Sequence, residues 1–243
     1  MTYPLAGLPG PEPGPPGCSY AAVLVRAATA DVLPVLREVR FTGWLAPPED
    51  GWVVAPAASV GTVASGRRGV VEVGAALADR LPAVVLAVRV VDDRQLALVG
   101  RADGGEICRY VSDPSWGAGD DVLPDPLGAA AAGPLAVACD RPAAAGELAE
   151  VLAEQLDPDS VNESERLARI LRLLGLPPWV VAVDSLPRDI PTGPRAADLT
   201  RLRAGRPGLP GRLLAAGSPL RRRRPPPPVI PDPPRAAPDP WFR

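Results

Sequence analysis

The distribution of proline is the feature that most constrains what this chain of 243 residues can fold into. Residues 1–17 contain six prolines and residues 186–243 contain fifteen, so 21 of the 34 prolines lie in 75 residues near the two ends. Proline fixes φ and lacks a backbone N–H, so such stretches sustain neither a long helix nor a central strand. We therefore predict a proline-rich leader at 1–17, a globular domain at 18–185 and a tail at 186–243, with both ends flexible in isolation.

Charge divides at the same boundary. Residues 1–185 contain 14 arginines and 24 acidic residues, a net charge of −10, whereas residues 186–243 contain 12 arginines and 4 acidic residues, a net charge of +8. The total of −2 is therefore the sum of an acidic domain and a basic, arginine-rich tail. Every basic residue is arginine, a bias typical of a bacterial genome of high GC content.

The absence of histidine and lysine excludes several kinds of site. Without them the chain has no Ser-His-Asp triad, no histidine metal ligand and no Walker A lysine. Cys18, Cys108 and Cys139 lie far apart, a pattern that does not suit zinc or a disulfide framework and that predicts small buried side chains at the last two positions. Paired aspartates fall at predicted turns, where they bond nearby backbone N–H groups. We expect no enzyme, no cofactor and no metal site.

The sequence also gives an expectation for the compartment. No basic segment followed by an apolar segment stands at the N-terminus. The longest central apolar run, Ala83–Val88, is far shorter than the ~20 residues of a membrane-spanning helix. We expect a cytoplasmic protein that does not enter the membrane.

Hydrophobic periodicity predicts an α+β domain. Short apolar runs predict strands, a spacing of three and four predicts helices, and turn residues separate them. The predicted strands lie at 20–28, 41–46, 51–55, 83–91, 95–101 and 106–111, and the predicted helices at 29–39, 69–81, 128–138, 143–156 and 160–174. The element order β-α-β-β-α-β-β-β, followed by a helical cluster, indicates an antiparallel sheet covered by helices.

Two local patterns refine this prediction near the C-terminal end of the domain. Ser160 and Glu163 have the S-x-x-E spacing of a capping box, which predicts the start of a helix. The run Trp179–Val183 (WVVAV) predicts a last short strand on the sheet.

The tail carries the most specific candidate binding segment. Four arginines are followed by four prolines at 225–228, which predicts concentrated positive charge on a stiff polyproline II arm. Apolar side chains beyond the prolines are candidate anchors for an aromatic groove. The candidate partner-binding residues are Arg221, Arg222, Arg223, Arg224, Val229, Ile230, Trp241 and Phe242.

A second candidate site follows the predicted meander of three strands. Tyr110, Ser112 and Trp116 stand close together in the sequence, and we interpret them as a candidate recognition surface at the end of the sheet. Aromatic residues at such a position also close the end of a sheet, so this second interpretation stays open.

The residues from 76 to 183 resemble uncharacterised bacterial α+β proteins, some of them immunity-like or partner-binding modules. The resemblance depends on a helix before a strand, a D-x-x-L at the next strand and a glycine turn leading to x-Y-x-S-x-P. The matching positions are Asp93, Leu96, Gly104, Gly105, Tyr110, Ser112 and Pro114, with the stretch 173–179 similar to the closing helix and strand. The resemblance implies an α+β fold and brings no catalytic residue.

These observations favour a non-catalytic protein-interaction or adaptor module whose tail docks on an acidic or groove-bearing protein partner. One alternative is a nucleic-acid-associated protein that binds phosphates through the arginines of the tail. A second alternative is an enzyme that uses carboxylates. The sequence leaves the partner unidentified and leaves a homo-oligomer open.

Overall fold

The computed structural model describes residues 17–114, 125–155, 162–186, 188–190 and 192–203. The strands are β1 (Tyr20–Val25), β2 (Gly43–Leu45), β3 (Val53–Pro56), β4 (Val85–Val91), β5 (Gln95–Ala102), β6 (Gly105–Val111) and β7 (Thr200–Leu202). The α-helices are α1 (Thr29–Glu38), α2 (Val70–Ala78), α3 (Ala132–Ala138), α4 (Ala145–Ala153) and α5 (Glu163–Leu173). Short 3₁₀ helices span Ala129–Ala131, Pro142–Ala144, Pro178–Ser185 and Ala196–Asp198.

The main sheet is antiparallel and contains five strands in the order β3-β1-β4-β5-β6. Up to β6, the elements follow one another along the chain as the sequence predicted, so the predicted α+β class is confirmed. Among the described residues, a second sheet consists of β2 and β7.

Both faces of the main sheet are covered, which explains why β1 is apolar throughout. Alternate residues of a strand face opposite sides of a sheet. Leu24 lies in one core with α3, α4, α5 and the 3₁₀ helix Pro178–Ser185, and Val23 lies in another core with α1 and α2. All six residues of β1 are therefore buried, and the strand reads as a continuous apolar run instead of an alternating one.

The two turns that connect β4 to β5 and β5 to β6 lie at the aspartate and glycine residues that predict turns in the sequence. Asp92 and Asp93 both have positive φ, of 51° and 56°, and Asp103 and Gly104 have φ of 50° and 74°. Aspartate and glycine tolerate this left-handed region better than most residues do. The first of these turns places the Asp93 side chain against the start of α5.

Near the C-terminal end of the domain the structure corrects one sequence prediction. Residues 179–183 form part of a 3₁₀ helix and not a strand. Pro177 and Pro178 hold φ near −65° and donate no hydrogen bond, which suits a helical turn and opposes pairing in a sheet. Trp179 and Val180 are nevertheless buried, as an apolar run requires.

Packed structure also continues beyond residue 185, the predicted end of the globular domain. Ile190 and Leu202 are buried, and β7 pairs with β2. Three prolines in 186–194 did not prevent this, because the strand itself, at 200–202, contains none. Residues 1–16 of the predicted leader and 204–243 of the predicted tail lie outside the described residues.

Candidate functional site

Tyr110 and Ser112 are two members of the second candidate site. Both are buried: Tyr110 lies near the end of β6, and Ser112 is the residue directly after that strand. Their exposed fractions are 0% and 7%, so the prediction of a recognition surface is wrong for these two residues. Trp116, the third member, lies outside the described residues. So do the tail candidates Arg221, Arg222, Arg223, Arg224, Val229, Ile230, Trp241 and Phe242.

Tyr110 and Ser112 instead belong to a largely buried group of polar side chains that we call the polar cluster. It lies where the N-terminal end of α5 meets β1, β6 and the turn between β4 and β5. Its members are Tyr20, Asp93, Tyr110, Ser112, Glu163, Ser164 and Arg166.

Asp93 caps α5 from the turn between β4 and β5. The carboxylate Oδ1 accepts a hydrogen bond from the Ser164 N–H at 2.7 Å, and the Asp93 carbonyl accepts one from the Glu163 N–H at 3.0 Å. These are two of the N–H groups that lack a partner inside a helix. The side chain of Asn162, at the cap position itself, makes no capping bond.

The predicted capping box at the start of α5 does not form with Glu163 in its expected role. Glu163 is the first residue of α5, whereas a capping box needs its acidic residue two positions further into the helix. The physical reason is that Asp93 caps this helix end instead. Ser160, the other predicted member of the box, lies outside the described residues.

Arg166 joins three elements at the centre of the polar cluster. Its exposed fraction is 1%, and its Nη1 donates to the Tyr110 hydroxyl at 2.5 Å. Its Nη2 donates to the Glu154 carbonyl at 2.6 Å, which joins the end of α4 to α5. Its Nε lies 3.4 Å from Oε2 of Glu163 as an ion pair without hydrogen-bond geometry.

Glu163 is the most unusual group of the cluster because its carboxyl is completely buried. Burial raises the pKa of Glu163 above its ordinary value, while the Ser112 hydroxyl and Arg166 act in the opposite direction. The charges of Asp93 and Asp113 raise this pKa further. Neither Glu163 oxygen has a hydrogen bond of good geometry to a described residue.

The two tyrosines of the cluster are held in their neutral form. Burial raises the pKa of Tyr110 to about 12, although the nearby Arg166 lowers it. Burial likewise raises the pKa of Tyr20, whose hydroxyl donates to the Ser164 Oγ at 3.0 Å. Both hydroxyls therefore act as hydrogen-bonding groups that tie α5 to the sheet.

Glu163 and Arg166 are not among the residues that the sequence predicts for a site. The signal that identifies them is their position on α5: together with Leu167 and Ile170 they have the three- and four-residue spacing of the apolar stripe. A charged pair within such a stripe faces the core.

An exposed depression lies elsewhere, on the outer face of α2. Its volume is about 500 Å³, and its lining combines two arginines, two acidic residues and two alanines: Arg68, Glu72, Ala75, Ala76, Asp79 and Arg80. The Glu72 carboxylate accepts a hydrogen bond from the Gly69 N–H at 2.9 Å. The N-terminal end of α2 is therefore already capped by a carboxylate of the same helix.

Comparison with known proteins found no match among family models, curated proteins or solved structures. The resemblance of residues 76–183 to bacterial partner-binding modules therefore stays a prediction. Within the described part of the chain, no three Cys, Asp or Glu side chains are grouped so that they would hold a metal ion. Across the same residues, no helix is long and apolar enough to cross a membrane.

Proposed function

We propose that this protein is a non-catalytic interaction or adaptor module that binds a protein partner through its basic tail. The single observation that carries the proposal is the separation of charge along the sequence. Residues 1–185 carry a net charge of −10 and residues 186–243 a net charge of +8. Four consecutive arginines concentrate this positive charge at Arg221–Arg224, next to four prolines.

The polar cluster supports placing recognition in the tail and not at the end of β6. Tyr110, Ser112, Glu163 and Arg166 are at most 7% exposed, so a partner does not reach them without a change in the fold. Most of the cluster's hydrogen bonds join α5 to another element, so its side chains hold the fold together. The tail, by contrast, contains the strongest concentration of one charge in the sequence.

The chemistry of the tail favours an acidic partner surface with an apolar groove beside it. Arginine binds carboxylates in a planar, two-pronged geometry that lysine does not provide. Val229, Ile230, Trp241 and Phe242 supply apolar anchors further along the same segment. Charge steers the encounter with the partner, and buried aromatic anchors contribute most of the affinity.

The proposal is tested by comparing two variants of the full chain that lose the same number of arginines. The tail variant replaces Arg221, Arg222, Arg223 and Arg224 with serine, and the control variant replaces Arg37, Arg68, Arg94 and Arg172, which are exposed in the domain, with serine. Proteins that co-purify with the wild-type chain from its native cells are identified by mass spectrometry. The affinity of each variant for the purified partner is then measured by fluorescence anisotropy.

We expect the tail variant to lose most of its affinity and the control variant to retain it, with both melting near the wild-type temperature. Equal affinity of the two variants would overturn the proposal. A parallel titration with random duplex DNA tests the nucleic-acid alternative. Binding to DNA that falls steeply with salt, in the absence of any protein partner, would replace the proposed function with that alternative.

A further inference from the structure

The helical stretch from 129 to 138, a 3₁₀ turn followed by α3, is apolar on both of its sides. Residues 126–139 contain no charged side chain. The inner side is buried in the core that contains Leu24, through Ala132, Leu135, Ala136 and Cys139. The outer side carries exposed apolar residues at a spacing of three and four, which we call the apolar face: Leu127, Ala130, Pro134 and Val137.

The exposure of the apolar face sets it apart from the rest of the described surface. Leu127 is 57% exposed and Val137 is 61% exposed, and these are the two large apolar side chains that stand exposed in the described part of the chain. The exposed sides of the other four α-helices carry charged side chains, among them Arg37, Glu72, Glu150 and Arg169. Single exposed apolar residues are normal, but an exposed apolar stripe on a helix indicates a surface that another molecule covers.

Acidic side chains border the apolar face, because α4 packs beside α3. Glu147 and Glu150 are exposed on α4, and neither carboxylate has an ion-pair or hydrogen-bond partner among the described residues. The Gln155 Nε2 donates to the Asp125 carboxylate at 2.6 Å, which places the end of α4 next to the start of the apolar face at Leu127. The surface therefore combines apolar area with uncompensated negative charge.

We infer that the apolar face binds a basic segment of a second protein partner. Apolar side chains of that segment pack on Leu127 and Val137, and its arginine or lysine side chains pair with Glu147 and Glu150. Nucleic acids and anionic lipid surfaces carry negative charge, which these two carboxylates repel. A second copy of the chain that docked through the same face would bring its own two carboxylates there, and like charges oppose such a contact.

This surface gives the proposed adaptor its second contact. An adaptor connects two proteins, so it needs a binding surface besides the tail. The tail is basic and takes an acidic partner, whereas the apolar face has an acidic border and takes a basic one. The inference rests on the proposed function in this one respect, that the tail is engaged with another protein.

The experiment selects random peptides displayed on phage against the immobilised full chain. Peptides that bind elsewhere are first removed on the full-chain variant that carries Leu127→Gln with Val137→Gln. We expect the remaining peptides to combine arginine or lysine with aromatic or aliphatic residues. Selection of peptides without basic residues, or of none that depends on the apolar face, would overturn the inference.

One selected peptide is then synthesised, and its affinity is measured by fluorescence anisotropy. Glu147→Arg with Glu150→Arg should weaken binding by about tenfold or more, because both charge pairs become repulsive. The matched control is Asp184→Arg with Asp198→Arg, which changes two other exposed acidic residues and gives the same net charge. It should retain the affinity, and both variants should melt near the wild-type temperature. An equal loss in the control would show that net charge alone attracts the peptide, which contradicts the assigned surface.

The same peptide is also titrated into the tail variant, in which serine replaces Arg221, Arg222, Arg223 and Arg224. Equal affinity for this variant and the wild-type chain supports a second partner. Tighter binding to the tail variant would identify the chain's own tail as a competitor for the face and would refute the assignment. If the tail variant keeps its acidic partner, the proposed function fails while the peptide result is unaffected, so the two failures are distinguishable.

Sedimentation of the wild-type chain over a range of concentrations tests the remaining occupant, a second copy. A dimer that Leu127→Gln with Val137→Gln abolishes would place a second copy on the apolar face and would rule out the proposed partner. A sedimentation coefficient that these substitutions leave unchanged supports the inference.

Discussion

The Asp93 carboxylate accepts a hydrogen bond from the backbone N–H of Ser164, a residue 71 positions later in the sequence. The turn between β4 and β5 thereby caps α5 and fixes where that helix begins. The cap, the Arg166 bonds and the Tyr20 bond all act at the same end of α5. This end of the helix is therefore where substitutions should have their largest effects.

Replacing Asp93 with alanine should lower the free energy of unfolding by more than the same change at Asp103. Both residues have positive φ in hairpin turns, so both substitutions add similar backbone strain. Only Asp93 caps a helix, and loss of a capping side chain costs about 0.5–2 kcal/mol. Urea unfolding of the two variants measures the difference. Equal losses of unfolding free energy in the two variants would show that the Asp93 cap contributes nothing to stability.

Tyr110→Phe should destabilise the domain more than Tyr20→Phe. The Tyr110 hydroxyl accepts a hydrogen bond from the buried guanidinium of Arg166, whereas the Tyr20 hydroxyl bonds to the neutral Ser164 hydroxyl. Hydrogen bonds to charged groups contribute about 1.5–3 kcal/mol, against about 0.5–1.5 kcal/mol for neutral ones. Thermal unfolding of both variants measures which one loses more stability. A larger loss of stability from Tyr20→Phe would contradict the prediction.

Glu163→Gln should change how stability depends on pH. The pKa of Glu163 is raised in the folded state, so that state holds the proton more tightly than the unfolded chain does. Glu163 therefore contributes a loss of stability as pH rises from about 4.5, its ordinary pKa, through the folded value. Relative to wild type, the glutamine variant should become more stable between pH 4 and pH 7.

The control for this pH profile is Glu165→Gln, which changes an exposed carboxyl two residues later in the same helix. Both variants remove one carboxyl from α5, so the difference between their pH profiles isolates the effect of burying the Glu163 carboxyl. If the two variants have parallel pH profiles, the Glu163 carboxyl is not perturbed in the way that its burial indicates.

Gly193→Ala should loosen the packing of residues 192–203, because the added methyl group would stand 2.6 Å from the Trp179 ring. Overpacking of this kind costs about 1–3 kcal/mol. The control is Gly146→Ala in α4, where a Cβ meets nothing within 4 Å and should be stabilising or neutral. Amide hydrogen exchange should accelerate in 192–203 and in β2 of the first variant only. Unchanged exchange there would mean that the surface beside Trp179 has room for a side chain at position 193.

Thiol labelling of the native protein should modify one cysteine rapidly and the other two only after unfolding. Cys18 is exposed, whereas Cys108 and Cys139 are buried. Burial raises the pKa of Cys108 to about 11 and that of Cys139 to about 12, which leaves little thiolate at neutral pH. Mass spectrometry after labelling with and without denaturant gives the number of modified cysteines in each state. Rapid labelling of three thiols without denaturant would contradict the buried core.

Sequence patterns predicted the sheet because its determinants are local. The apolar run of β1, the turn residues at 92–94 and 103–105 and the proline at 82 each act on their own neighbours in the chain. Periodicity also located α5. It did not reveal that Glu163 and Arg166 face the core, since that depends on what covers the apolar stripe of the helix.

The sequence by itself determined the order of strands and helices up to β6, the burial of Cys108 and Cys139, and the separation of negative and positive charge. Only the tertiary structure decided that Asp93 caps α5, that Tyr110 and Ser112 are buried beside Arg166, and that residues 200–202 pair with β2. The physical reason is the separation along the chain over which each kind of interaction acts. Propensity, periodicity and turn chemistry act over a few residues, whereas capping between elements, ion pairing and strand addition join groups that only the packed chain brings within hydrogen-bond distance.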